Sequence, residues 1–394
     1  MELLILNNNY EAITTLEDVE SVLWTKKFND VGDCELYLSC NKEMLEMLKM
    51  DYYIYRYDDD MMCVINDRLI ETSVEQGNYL TIYGIDVASI LSGRTIWHTI
   101  NFTGTVGNLI KKILNDNIID PGSDYSNRKI SNLVFDDTNI DEFNDNITIQ
   151  LTVENYVLDV IKELCQRYDY GFKLTFDIDT KKFIFKLYKG TDKSSMENDE
   201  YVEFSNDYGN ILSTEYEEDK TVYKTVARVG GVEAEDGTRL FVNVVRGNEN
   251  IGLNRKELFV DGSSVKNVMS LEEVQHLYPG GTISGSSYVK DGNVIAKKEA
   301  SGNNYKLEDD YYAPLLTELG RTALLNYNLS FSFEGEIDTI DSYEYKVDYN
   351  LGDIVKVINE YGISANAVIT EILESDDENG YNVEPKFEYK GVDN

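Results

Sequence analysis

The chain reads as mainly β with α+β insertions, in the order β, α+β, β with an insertion, β. Three observations predict this order. Short runs of alternating apolar and polar residues, separated by turn signals, fill both ends of the sequence. Apolar residues at helical spacing concentrate between about 97 and 200 and return near 308–327. A Gly-, Ser- and Asn-rich stretch over 247–305 carries little periodicity of either kind.

Val19–Lys27 and Cys34–Ser39 alternate as half-buried strands around a turn at Asn29–Asp33, so they predict a hairpin. Asn41 is placed to cap a short helix through Met50. Strands at Tyr52–Tyr57 and Met61–Ile65 flank the turn Asp58–Asp60, and Tyr79–Tyr83 adds another before Asp86 caps a helix to Leu91. So many short strands with tight turns predict a small barrel or sandwich. Next come helices at Thr105–Ile113 and Val153–Tyr168 and a hairpin of Phe172–Phe176 with Lys182–Tyr188. Strands are expected at Tyr201–Phe204 and Ile211–Tyr216, and Thr221–Val229 with Leu240–Val245 makes another hairpin. The 247–305 stretch reads as irregular apart from a helix near Leu271–Leu277. A helix over Glu308–Tyr327 tolerates Pro314 in its first turns. The chain closes on strands at Leu329–Phe333, Ile354–Ile358, Val368–Leu373 and Gly380–Tyr389. No repeat of fixed short period is visible.

The formal charge is −36, from 72 Asp and Glu against 36 Lys and Arg. Such a chain repels phosphate backbones and anionic membranes, so adhesive nucleic-acid or lipid binding is excluded as its main business. Acidity can also signal disorder, but 42% apolar residues, 29 Tyr, 14 Phe and only four Pro supply material for packed cores. The first residues lack the features of a signal peptide, and no run approaches the roughly 20 apolar residues of a membrane helix. The expectation is a protein made and kept in a cytosol. Cys34, Cys40, Cys63 and Cys165 show no paired short spacing and read as reduced thiols.

The search for chemistry returns little. His98 and His276 are the only imidazoles, which excludes paired-His metal helices; neither a Gly-x-Ser-x-Gly elbow nor a phosphate-binding glycine loop is present. Acid pairs for glycoside hydrolysis arise by chance among so many carboxylates. The turns Asp58–Asp60 and Asp376–Gly380 crowd oxygen ligands without the spacing of a calcium loop, so they read as solvated hairpin turns. Tyr52, Tyr53, Tyr55 and Tyr57, with Tyr343, Tyr345 and Tyr349, could stack on sugars, although tyrosines also suit strands that bury one side. No catalytic, cofactor-binding or metal residue is assigned.

Particular residues do resemble a family. They are Trp24, Phe28 and Gly32-Asp33-Cys34-Glu35-Leu36-Tyr37-Leu38, then Ile82-Tyr83-Gly84 and Leu91-Ser92-Gly93-Arg94-Thr95-Ile96. Near the end stand Tyr349-Asn350-Leu351-Gly352-Asp353-Ile354-Val355, Ile369-Thr370-Glu371-Ile372, and a closing strand with Pro385 and Phe387. In this order they resemble the tail hub proteins (distal tail tip or baseplate hub) of long-tailed phages and prophages.

The resemblance implies a homotrimeric ring at the distal end of the virion tail, assembled in the bacterial host cytoplasm. Two small β-barrel, tube-like domains per subunit would match a hexameric tube. On this assignment residues 1–96 form the first barrel and 97–205 an α+β domain; 206–246 with 328–394 form the second barrel, and 247–327 an inserted irregular or helical domain. The implied partners are the distal tail protein, the tail tube protein, the tape-measure protein and a central spike or fiber. DNA would pass through without specific binding. A carbohydrate- or receptor-binding module and a cell-wall hydrolase are the competing readings.

Overall fold

A computed structural model describes residues 1–394 apart from 17–18, 74–76, 198–199, 248–250, 301, 329, 338–342 and 390–394. It is mainly β. The N-terminal strands are β1 (Leu3–Leu6), β2 (Ala12–Leu16), β3 (Ser21–Lys27), β4 (Asp33–Ser39), β5 (Tyr53–Arg56), β6 (Met61–Ser73) and β7 (Gly77–Asp86), with helix α1 (Lys42–Met47) between β4 and β5. Asn41 caps α1 by accepting the Met44 amide, as expected, but the helix ends before Met50. A 3-10 helix over Val87–Gly93 follows, capped by Asp86.

The middle holds β8 (Ile100–Thr105), α2 (Val106–Leu114), β9 (Leu133–Phe135), β10 (Asn146–Leu151), α3 (Val157–Tyr168), β11 (Gly171–Asp177) and β12 (Lys182–Tyr188). Val157, Val160, Ile161, Leu164 and Cys165 of α3 face one core with α2 and with Leu4, Leu6, Tyr55 and Met62 of the N-terminal sheet. Leu3 and Ile5 point to the opposite core with Trp24, Leu36 and Ile82. The N-terminal sheet is therefore covered on both faces, and β1 is buried at every position.

Next come β13 (Glu203–Ser205), β14 (Ile211–Asp219), β15 (Val226–Glu233), β16 (Arg239–Val245), β17 (Glu257–Asp261) and β18 (Val268–Met269), then α4 (Leu271–Leu277). After α4 lie β19 (Thr282–Ser284), β20 (Ser287–Lys290), β21 (Asn293–Lys298), β22 (Tyr305–Leu307), α5 (Asp309–Leu325), β23 (Ser330–Ile337), β24 (Ile354–Ile358), β25 (Ser364–Asp377) and β26 (Gly380–Tyr389). Two expectations need correction here. The 247–305 stretch is not irregular, because β18–β22 make a five-stranded antiparallel sheet. Its glycines at positive φ mark turns: Gly285 and Gly292 lie in hairpins, and Gly280 lies in the turn from α4 into β19. The strands of 226–245 were expected in the second barrel. They pair instead with β17 in a separate three-stranded sheet, and Ala227, Val229 and Val244 share a core with Val274, Tyr288, Tyr312 and Leu316 of the insertion.

Among the described residues thirteen strands form one sheet, ordered β14-β23-β26-β25-β3-β4-β7-β6-β5-β1-β2, with β24 on β25 and β13 on β24. No closed barrel occurs in this pairing. What the sheet contains is one topology used twice. The run β3-β4-β7-β6-β5 in the first half matches β14-β23-β26-β25-β24 in the second, antiparallel at every step. Register agrees too: the cross-strand row Ile65–Gly84–Cys34–Trp24 has the counterpart Ile369–Phe387–Phe333–Tyr216. Both long strands bulge at the same point, between Ile65 and Asp67 in β6 and between Ile369 and Glu371 in β25, and then run equally far to their hairpins. The second copy differs by carrying β15–β22 and α5 in the loop that, in the first, is only Phe28–Gly32.

Candidate functional site

The halves join where β25 pairs antiparallel with β3, from Glu371 opposite Lys27 to Asp377 opposite Ser21. Inward-facing charge marks this seam. Along β3 the buried parity runs Val22, Trp24, Lys26, and along β25 it runs Ile372, Glu374. Glu374 is 0% exposed and meets Arg56 of β5, 1% exposed, through two hydrogen bonds at 2.6 and 2.8 Å. Lys26 pairs with Glu374 at 2.8 Å and with Asp59, while Lys346 reaches Asp58 and Asp59 at 3.3 and 3.4 Å. Burial alone would raise the Glu374 carboxyl, but the Arg56 hydrogen bonds and Lys26 charge prevail and hold it at about 2. Burial likewise opposes charge on Arg56, and its bonds to Glu374 and Asp58 outweigh that, raising its pKa. The amino group of Met1 adds an ion pair to Asp376. A charge lattice of this kind fixes one register where a purely apolar seam would tolerate others.

Beside the seam the three modules meet at Phe28. Its amide donates to Thr370 at 2.9 Å, and its carbonyl accepts from Phe172 at 3.1 Å. Its ring lies so close to Gly171 and Gly352 that a Cβ would stand 2.5 and 2.3 Å from it, and Gly352 adopts φ +94°. Asp353 is buried and accepts the amides of Thr191 at 2.7 Å and Asn350 at 2.9 Å. The Gly352-Asp353 motif thus locks the C-terminal half to the α+β module. A cleft of about 440 Å³ opens here, lined by Lys26, Lys27, Asp86, Lys173, Lys189 and Asp353 among others. Burial pushes the Asp86 carboxyl up to about 7, and it accepts the Ala88 amide at 2.7 Å.

The remaining sequence candidates resolve into structure. Asp58–Asp60 answers Arg56, Lys26, Lys346 and the Tyr55 hydroxyl, and Asp377 accepts the Asn379 amide within its hairpin turn. Among the described residues no cluster of three or more acid, His or Cys side chains could hold a metal ion. Tyr55 and Tyr349 are buried; Tyr349 and Tyr343 pack edge-on against Phe204. Tyr52, Tyr53, Tyr343 and Tyr345 are half-buried and Tyr57 is exposed, so the rows are edged by water rather than laid out as one exposed aromatic face. His98 lies edge-on to Tyr125, and the four cysteines are free thiols. Sequence reasoning missed Arg56, Lys26 and Glu374. A lysine on the parity of Val22 and Trp24 was a readable sign of a buried partner.

The sequence matches the profile of the siphovirus ReqiPepy6 Gp37-like protein family over residues 2–387. The chain belongs to that family of siphovirus tail proteins. A search of curated protein sequences returns no match. Among solved structures, the fold is similar to a tail protein from Neisseria meningitidis at TM-score 0.53 and 13% identity, covering 100% of this chain and 97% of that one. Prophage tail protein gp18 from Listeria monocytogenes aligns at TM-score 0.52 and 11% identity, over 100% and 95% of the two chains. The 43 kDa tail protein of prophage MuSo2 from Shewanella oneidensis aligns at 0.51 and 12%, over 98% of each. At these identities the likeness is one of fold. Among the described residues no helix of this siphovirus tail protein is long and apolar enough to cross a membrane.

Proposed function

We propose that this tail protein is a structural hub at the distal end of the tail, three copies forming a ring that meets a sixfold tube and lets DNA and the tape-measure protein pass. The observation that carries the reading is the repeated topology: each chain holds two equivalent sheet units, so three chains present six. In this reading residues 1–96 and the C-terminal strands supply the ring, and 97–205 with the insertion decorate it. In this reading the distal tail protein and tail tube protein bind above, and a central spike or fiber is carried below.

The charge of −36 finds a role there, since an acidic inner wall holds phosphates off by repulsion. The tyrosine rows lend the carbohydrate-binding reading little support, because Tyr55 and Tyr349 are buried and of the seven only Tyr57 is exposed. Light scattering and low-resolution imaging of the protein with its distal tail protein test the proposal. A threefold ring with a central, acidic hole is expected; strictly monomeric chains, or a channel lined chiefly by Lys and Arg, would overturn it.

A further inference from the structure

The repeat makes the internal seam a template for an external one. Within one chain, β25 carries β24 along its first part, through Ser364–Val368, and β3 along its last part, Glu371–Asp377. Its counterpart β6 carries β5 along Met61–Val64 in the same way. The stretch equivalent to Glu371–Asp377 is Asp67–Ser73, which pairs with β7 on one side. Among the described residues no strand pairs with its other side. The counterpart of β3 is β14, which pairs with β23; among the described residues no strand pairs with its second edge. Among the described residues, two strand edges without a neighbouring strand, along Asp67–Thr72 and along β14, thus stand in the same relation as the two strands joined at the seam.

We propose that β14 of one copy pairs antiparallel with Asp67–Ser73 of the next, in the register of the internal seam. This deepens the ring reading and rests on it. Glu374 lies opposite Trp24 in the chain, so its counterpart Ile70 falls opposite the counterpart of Trp24, Tyr216 of the next copy. Leu69 and Ile70 are 46% and 49% exposed in the single chain, an apolar pair on an open strand edge, which is the combination proteins normally avoid unless a partner covers it. The contact is head-to-tail, and with the threefold rotation of the proposed ring it closes so that internal and external seams alternate.

Charge distinguishes the two seams. Where Lys27 faces Glu371 internally at 3.9 Å, Asp219 faces Asp67 externally, while Glu218 falls opposite Arg68. The external seam lacks the internal lattice, since Ile70 replaces Glu374. It is therefore the separable one, and the carboxylate pair makes it tighten with added salt.

Paired cysteines test the register in the full-length protein, because directly opposed strand positions fall within disulfide reach. Ile70→Cys with Tyr216→Cys is expected to give covalent oligomers ending at a closed trimer on a non-reducing gel, at least about tenfold more than Ile70→Cys with Thr214→Cys. Either single variant, which controls for the native thiols, should give none. Leu69→Lys with Ile70→Lys is expected to leave circular dichroism and melting of the single chain unchanged and to weaken assembly at least about tenfold. Trimers that form without the 70–216 cross-link, or that ignore the lysine substitutions, overturn this seam while leaving the ring reading standing. Chains that stay monomeric with the distal tail protein present overturn both.

Discussion

Glu374→Gln isolates the lattice that joins the two halves. The substitution keeps shape and removes one negative charge from a site where Arg56 is 1% exposed and Lys26 nearly as buried. Two routes give the cost. Moving the carboxyl from an ordinary 4.5 to about 2 corresponds to about 3 kcal/mol at 1.36 kcal/mol per unit. Breaking a buried ion pair from one side typically costs about 3–5 kcal/mol. The stabilisation is complete above the unfolded-state value near 4.5 and is lost as pH falls toward 2, because the folded-state pKa is the depressed one. Trp24, opposite Glu374 and 5.8 Å from Arg56, supplies a fluorescence signal at the seam. In urea at pH 7 the variant is expected to lose the Trp24 signal with about 3 kcal/mol less stability, and the gap should narrow from pH 5 to pH 3. A gap below about 1 kcal/mol at pH 7, or one indifferent to pH, would refute the reasoning. Replacing Arg56 and Glu374 together with methionine should recover much of the loss, since no charge is then left stranded.

Two further outcomes follow from the junction. The buried Asp86 holds its proton in the folded protein up to about pH 7 and gives it up near 3.8 when unfolded, so its burial costs stability increasingly as pH rises between those values. Asp86→Asn keeps an acceptor for the Ala88 amide and is expected to raise the melting temperature at pH 8, by up to about 4 kcal/mol of stability, with no gain below pH 4. Gly352→Ala must hold φ near +94° and push a Cβ into Phe28, and is expected to cost about 2–4 kcal/mol, measured as a lower denaturation midpoint.

Local elements were legible in the sequence where their causes are local. The alternation of Val22, Trp24 and Lys26 marks β3, Asn41 and Asp86 announce their helix caps, and Phe172–Phe176 with Lys182–Tyr188 is a hairpin as expected. The five-stranded sheet of the insertion escaped because its strands are short, and turn glycines dominate its composition. The seam escaped for a different reason. The bulge after Ile369 shifts the buried parity of β25 from Ala365, Ala367 and Ile369 to Ile372 and Glu374, which places an acid inward without any sign in the alternation.

The sequence by itself determined the β character of both ends, the helical middle, the charge and the order of motifs, since periodicity, caps and turn residues act over a few positions. Only the tertiary structure decided that the two ends form one continuous sheet of repeated topology, that Arg56 meets Glu374 across 318 positions, and which edges remain open. Strand partners are chosen by shape, burial and charge between segments far apart in the chain, and two halves whose strands share a register need not share residues.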